Sequence, residues 1–393
     1  MWDLEASRAR FYSELGIPPQ NFWKWLFESA GKDDVLTDAR YASFLAWSPG
    51  QANCPELEEV VRRMTAVAPN YWKATMRNLF VARAGKGDAN AAAWSFSRSG
   101  VVELNYGFTV AAMIYATLFT QFYDGIATIA GDVDLGMSEE DILGDILEEV
   151  DRGVLDPILV VDSSIEPWRS SGAIFAAHPA LVERPMRTDL GGYYEAVSSI
   201  EEFAVAHEVS HHMLGHTAGS FRKSRDVARH VDRWIARLDL PDLLNELNES
   251  QRQEIQADVA AFLLMSGELG GELDRVLLYR AIFGSMLGLV ALAHISEHWS
   301  VVDPNGTHPD FITRYSVISG IIVRLSESVP QGDFGDHPLG LLLQLRGFAS
   351  MILQTWLSRN KDGVKRPHFV NVFAWMADEA ERLRDQLRED AQS

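Results

Sequence analysis

Apolar and polar residues alternate with helical spacing through most of the chain. Apolar positions recur every three to four residues, which is the period of a helix with one buried face. The pattern predicts helices over about 199–216, 250–266, 272–299 and 374–389. At the start of the first, Ser199 and Glu202 match a capping box, as do Ser198 and Glu201, so we expect that helix to begin near Ser199.

Strand signals are few. The short apolar runs at 158–161 and 173–177 lie between polar and proline-containing stretches and are the best strand candidates. We therefore expect an α+β fold that is mostly α, with one small sheet and helical regions on both sides. The breaks in the pattern suggest three regions: a mainly helical N-terminal region at 1–155, a core at 156–330, and C-terminal helices at 331–393 that pack on the core.

Charge and cysteine content narrow the choice of partner and compartment. The 393 residues include 35 Lys and Arg against 55 Asp and Glu, a formal net charge of −20. Phosphate backbones and anionic membrane surfaces repel such a chain, so we expect no nucleic-acid partner. Cys54 is the single cysteine, which excludes an intramolecular disulfide and a cysteine-based zinc site. This composition fits a reducing compartment.

Export and membrane signals are weak. Residues 1–20 carry mixed charge and lack the apolar stretch of a signal peptide. The most apolar run, 281–293, would reach roughly 20 Å as a helix, short of the ~30 Å hydrocarbon core of a bilayer. A second apolar stretch at 107–130 is interrupted by polar residues. We therefore expect a cytoplasmic, soluble protein that does not insert into membranes.

The most informative segment lies in the helix predicted at 199–216. It reads His207-Glu208-Val209-Ser210-His211, the pattern HExxH. Residues four apart share a helix face, so His207 and His211 are placed to bind one metal ion. Glu208 is placed to take a proton from water at the open coordination position. Two imidazoles and one carboxylate suit zinc, which predicts a site for one Zn²⁺ per chain.

Glu254 is the expected third zinc ligand. It lies on the helix predicted at 250–266 and shares a face with Ala257, Asp258 and Ala261. The two alanines allow this helix to approach the HExxH helix closely. Asp258 is then expected behind the metal, where it would bind the free ring N–H of a ligating histidine or a nearby arginine.

These segments resemble those of the HtpX-like and CAAX-prenyl-endopeptidase-like zinc peptidases, which are gluzincins. Residues 207–216 fit HExxHxxxxH, residues 254–258 fit ExxAD, and residues 307–314 fit the THPxxxxR form of a third motif of that family. The three motifs occur in the family's order over about 190–320. The resemblance implies a gluzincin-type core and a zinc metalloendopeptidase, a hydrolase of peptides or proteins. It also implies that His308 approaches the reaction centre and that Arg314 braces Asp258.

Three alternatives stay open, of which a zinc hydrolase that acts on a non-peptide amide is the weakest. His294-Ile295-Ser296-Glu297-His298 spells HxxEH, an inverted zinc motif that would need a distant glutamate such as Glu379 or Glu381. The agreement of three segments favours the site at His207 over this one. The chain is also compatible with a catalytically silent peptidase-derived interaction or sensor protein, although an intact Glu208 argues for turnover. The sequence identifies neither the substrate nor the oligomeric state.

Overall fold

A computed structural model describes residues 2–133, 190–217, 225–238, 240, 244–245, 247–296, 306–329 and 337–360. Its helices are α1 Leu4–Leu15, α2 Phe22–Ser29, α3 Asp33–Thr37, α4 Ala42–Leu45, α5 Pro55–Val67, α6 Asn70–Met76, α7 Tyr106–Val133, α8 Leu190–Leu214, α9 Arg225–Ala236, α10 Glu249–Met265, α11 Arg275–Ser296, α12 Phe311–Ser326 and α13 Pro338–Asn360. Its strands are β1 Phe80–Ala84, β2 Ala91–Phe96 and β3 Ser99–Asn105. The expected α+β class with a predominance of helix is confirmed.

The three strands form one sheet in the order β1-β3-β2. β1 runs parallel to β3, and β2 runs antiparallel to it, with Phe80 opposite Val101 and Ala93 opposite Val102. The sheet lies in the region predicted to be mainly helical. The two predicted strands at 158–161 and 173–177 lie outside the described residues, as does the predicted helix at 374–389.

The strand pattern was missed because β1 and β3 are buried along their whole length, so they lack polar alternation. Alternate residues of β1 pack on opposite sides: Phe80 lies in a small cluster with Phe11 of α1, whereas Val81 lies in the main helical core. β2 opens with three alanines, whose intrinsic preference is helical. Pairing with β3 overrides that preference.

Helix α8 carries the HExxH segment and lies at the centre of the helical body, against α7, α10 and α11. Small residues allow the close packing. A Cβ atom added to Gly284 of α11 would lie 2.1 Å from the carbonyl oxygen of Ser199, so the two helices touch through their backbones. Ala257 and Ala261 of α10 are fully buried, as expected for a helix that approaches α8 closely.

The predicted start of this helix is wrong. α8 begins at Leu190, so Ser198 and Ser199 lie inside it and cap nothing. Tyr193, in the added turns, is buried in the main core, and that packing extends the helix backwards.

The two glutamates of the supposed capping boxes make buried ion pairs. Glu201 accepts two hydrogen bonds from Arg83 of β1, at 2.7 and 2.9 Å. Glu202 accepts from Arg63 of α5 at 2.9 Å and from Arg280 of α11 at 2.7 Å. These pairs join the N-terminal sheet and two helices to α8.

Helix α11 extends beyond the apolar run at 281–293. It has 22 residues, and its window of highest hydropathy has a mean hydropathy of 1.9. Among the described residues it is the one helix that is long and apolar enough to span a bilayer. The run at 281–293 is too short by itself. Because 67% of that window is buried inside the protein, the helix packs as core helices do.

Candidate metal centre

Two helices bring three predicted ligands together. His207 and His211 lie one turn apart on α8, and Glu254 faces them from α10. The Nε2 atoms of the two histidines are 3.0 Å apart, and each lies 3.3 Å from a different carboxylate oxygen of Glu254. Among the residues that the structure describes, these three form the one group of histidine, cysteine or acidic side chains close enough to share a metal ion.

The spacing of these atoms fits zinc. Bonds of about 2.0–2.1 Å in a tetrahedral site put neighbouring ligand atoms about 3.3 Å apart. The two Nε2 atoms are 3.0 Å apart, and each is 3.3 Å from one of the two oxygens of Glu254. The Oε2 atom of Glu254 is buried and accepts no hydrogen bond from the described residues. An ionised oxygen in that position needs a cation. Three protein ligands leave the fourth position of a tetrahedral ion open.

Asp258 and Arg314 lie directly behind His207. The Nδ1 atom of His207 is 2.8 Å from Oδ1 of Asp258, and Arg314 donates two hydrogen bonds of 2.7 Å to that carboxylate. Asp258 is fully buried. Because the carboxylate accepts at Nδ1, His207 carries a proton there, and Nε2 is the ring nitrogen that faces Glu254 and His211. The structure therefore joins the ExxAD and HPxxxxR segments behind the first histidine.

The carboxylates of Glu254 and Asp258 favour a positive charge at the cluster formed by His207, His211, Glu254 and Asp258. Burial by itself raises the pKa of Asp258, but the Arg314 guanidinium and the contact with His207 outweigh it and lower the pKa to about 2. Burial likewise opposes ionisation of Glu254, whereas its contacts with the two histidines hold its pKa well below the usual range. Burial lowers the pKa of His207, but Asp258 and Glu254 outweigh it and raise that pKa to about 10. Two ionised carboxylates thus face the imidazoles.

The cluster opens on a cavity of about 600 Å³ between β2, α8 and α10. Glu208 lines this cavity, as do residues 90–95 of the edge strand and its approach. His308 also lines it, with its side chain 62% exposed and its Nε2 atom 3.5 Å from Oε2 of Glu254. The hydroxyl of Thr307 lies 2.8 Å from the other ring nitrogen of His308. Glu208 and His308 are therefore on the solvent side of the three candidate ligands.

Two further histidines lie close to the centre. His212 is fully buried, and its Nε2 atom is 2.9 Å from the carbonyl oxygen of Val101. Burial lowers the pKa of His212 to about 4. The Nδ1 atom of His216 lies 3.1 Å from Nδ1 of His211. Its position as the last histidine of HExxHxxxxH was the one sequence signal for this contact.

The inverted motif is only partly described. His294 is fully buried, and its Nδ1 atom lies 2.5 Å from the hydroxyl of Tyr115. Among the described residues His294 has no part in the metal-binding group. His298, Glu379 and Glu381 lie outside the described residues.

Comparison with known proteins gives one match. Residues 193–321 match the family model Peptidase U49, a segment that runs from α8 to α12 and contains all the residues of the cluster. The match supports a peptidase, and hence a hydrolase. Neither the curated proteins nor the solved structures yield a match.

Proposed function

We propose that the chain is a zinc-dependent metalloendopeptidase of the gluzincin type, similar to the HtpX-like enzymes in its motifs. His207, His211 and Glu254 would hold one Zn²⁺ per chain. The observation that carries the proposal is that the Nε2 atoms of the two histidines lie 3.0 Å apart and each lies 3.3 Å from one oxygen of the Glu254 carboxylate, separations close to those between neighbouring ligands of tetrahedral zinc. The match to a peptidase family over the same residues is independent support.

When bound, zinc supplies Lewis acidity that polarises the scissile carbonyl and lowers the pKa of water. Glu208 follows His207 in α8, lines the cavity beside the ligands and is only half-buried. Its carboxylate is therefore in reach of solvent in the cavity. It would take a proton from the attacking water and deliver it to the leaving amine nitrogen.

His308 would stabilise charge on the substrate. It lines the same cavity, and its Nε2 atom is the ring nitrogen that lies near Glu254. A hydrogen bond from Nε2–H to the developing oxyanion would lower the barrier. The Thr307 hydroxyl holds the other nitrogen and so orients the ring.

Strand β2 would hold the substrate backbone. It is an edge strand, since β3 pairs with one side of it and no described strand pairs with the other. Residues 91–95 of β2 line the cavity next to the candidate ligands. An extended peptide that adds to this edge would lie across the metal centre in a fixed register.

The proposal extends to the substrate class, the partners and the location of the chain. Peptides or proteins are the substrates, nucleic acid is not a partner, and the chain is soluble, cytoplasmic and not inserted into a membrane. The net charge of −20 supports the absence of nucleic acid. The burial of two thirds of the apolar window of α11 supports the absence of membrane insertion.

Zinc content and peptide cleavage test the proposal together. The purified chain should carry about one zinc, removable by a chelator, and should cleave members of a broad peptide library. His207→Ala, His211→Ala and Glu254→Ala should each lose the metal. Glu208→Gln should retain zinc but lose at least about a hundredfold in turnover, because it removes the base and leaves the ligands.

The controls separate the open alternatives. His294→Ala should leave zinc stoichiometry unchanged, and loss of zinc there with retention in His207→Ala would move the site to the inverted motif. Full zinc content in Glu254→Ala would remove that residue as a ligand. Zinc binding without cleavage of any library member, and with no difference between Glu208→Gln and the parent, would favour the silent interaction protein.

A further inference from the structure

His216 occupies an unusual place at the end of the HExxH helix. Helix α8 ends at Leu214, and Gly215 adopts a left-handed conformation with φ of 76°. This turn reverses the chain, and the backbone N–H of His216 bonds back to the carbonyl oxygen of His211 at 2.9 Å. The imidazole of His216 is thereby placed beside that of His211, with Nδ1 facing Nδ1 at 3.1 Å.

A chain of side chains continues outward from His216. Its Nε2 atom is 3.2 Å from Oε1 of Gln256 on α10, and Nε2 of Gln256 donates to Oδ1 of Asp232 on α9 at 2.7 Å. His216 and Gln256 are half-buried, and Asp232 is exposed. A chain of four polar side chains thus connects α8, α9 and α10. It runs from Asp232 through Gln256 and His216 to the candidate metal ligand His211.

Asp232 fixes the direction of every hydrogen bond in this chain. A carboxylate only accepts, so the NH₂ group of Gln256 must face it and the amide oxygen must face His216. The amide oxygen also only accepts, so His216 carries its proton on Nε2. The Nδ1 atom of His216 is then an acceptor, and Nδ1–H of His211 donates to it. The lone pair of His211 Nε2 is left facing His207 and Glu254.

We propose that His216 is a positioning residue for the metal ligand His211, with Gln256 and Asp232 as its supports. The inference rests on the proposed zinc site and deepens it. His216 is not itself a ligand in this arrangement, because its two ring nitrogens face His211 and Gln256 and it lies outside the group of side chains close enough to share a metal ion. It selects the tautomer in which His211 presents Nε2, and it fixes the ring plane.

Zinc affinity, measured by competition with a chromogenic chelator, tests the proposal without any substrate. His216→Leu and Gln256→Leu should each weaken zinc binding about 10- to 100-fold, the range found for partners that orient metal-bound histidines. Gln253→Leu is the matched control. Gln253 lies one turn earlier on α10, is equally half-buried and contacts Glu249 instead of His216. The zinc affinity of Gln253→Leu should stay within about twofold of the parent's, because the hydrogen bonds that join His216, Gln256 and Asp232 are unchanged.

An exchange of groups separates orientation from simple packing. In the double variant Gln256→Glu with Asp232→Asn, the amide and carboxylate change places, yet an acceptor oxygen still faces His216. Its zinc affinity should remain within about threefold of the parent, and the visible spectrum of the Co²⁺-substituted protein should match the parent's. Gln256→Leu should alter that spectrum because His211 is no longer fixed.

Two results would contradict the inference in different ways. If His207→Ala abolishes zinc binding while His216→Leu and Gln256→Leu bind with parental affinity and spectrum, His216 does not position His211, and the proposed zinc site stands. If the unsubstituted chain binds no zinc, the proposed function and this inference fail together.

Discussion

The two histidines of the HExxH segment are supported in opposite ways. Their side chains are equally buried, at 10% exposure for His207 and 13% for His211. Behind His207 lies Asp258, with no exposed side chain, in a bidentate ion pair with Arg314. Behind His211 lies the half-buried ring of His216, which leads to an exposed carboxylate.

The difference shows how one helix face acquires two kinds of support. The side of α8 at His207 is covered by α10, so the Asp258 charge there is buried and must be paired, which Arg314 of α12 does. The side at His211 lies near the helix end, where water screens the outermost charge. Loss of the first support should therefore damage both folding and metal binding, and loss of the second should damage metal binding alone.

The largest effect is expected at the buried pair. Asp258→Ala and Arg314→Ala should each lower the free energy of unfolding by about 3–5 kcal/mol, because each leaves one buried charge unpaired. Urea denaturation measures this change. Arg324→Ala, on the same helix as Arg314, is the control: its ion pair with Glu327 is 3.5 Å long and about half exposed, so its loss should change stability by less than about 1 kcal/mol.

The double variant sharpens this prediction. With both partners removed, no unpaired charge is left, so the cost should be much smaller than the sum of the two single changes. Costs that add to within about 0.5 kcal/mol would show that Asp258 and Arg314 act independently.

A second buried ion pair on α8 separates stability from metal binding. Glu201 pairs with Arg83 as closely as Asp258 pairs with Arg314, but it contacts none of the candidate ligands. Glu201→Ala should therefore cost about 3–5 kcal/mol of unfolding free energy and leave the zinc affinity of the folded protein within about threefold. If zinc affinity falls as far as in Asp258→Ala, general destabilisation of α8 would explain both effects.

The smallest effect is expected from two glycines at opposite ends of α8. Gly215→Ala should cost about 1–2 kcal/mol, because alanine disfavours the left-handed φ of 76°. It should also weaken zinc binding, since that turn places His216. Gly192→Ala, where an added Cβ meets no atom within 4 Å, should instead raise stability by up to about 1 kcal/mol. If Gly215→Ala and Gly192→Ala change zinc affinity equally, the turn at Gly215 is not what places His216.

Local patterns were enough to predict the candidate ligands. The four-residue spacing of His207 and His211 and the face shared by Glu254 and Asp258 depend only on helix geometry, which is the same in any fold. The structure brings together the three candidate ligands and the Asp258–Arg314 pair. The start of α8 was missed because buried Tyr193 extends the helix past a capping signal, and β2 was missed because its alanines favour helix until β3 pairs with them.

The sequence by itself determined which side chains lie on one face of each helix, because a regular backbone repeats its geometry without reference to other segments. The tertiary structure decided which faces meet. It placed Gln256 of α10 between Asp232 of α9 and His216, and it placed His216 beside His211. It also placed the edge of β2 beside the candidate ligands. Such contacts join residues that are far apart in the chain, and their energies depend on burial and on exact distance. No local pattern of residues records either quantity.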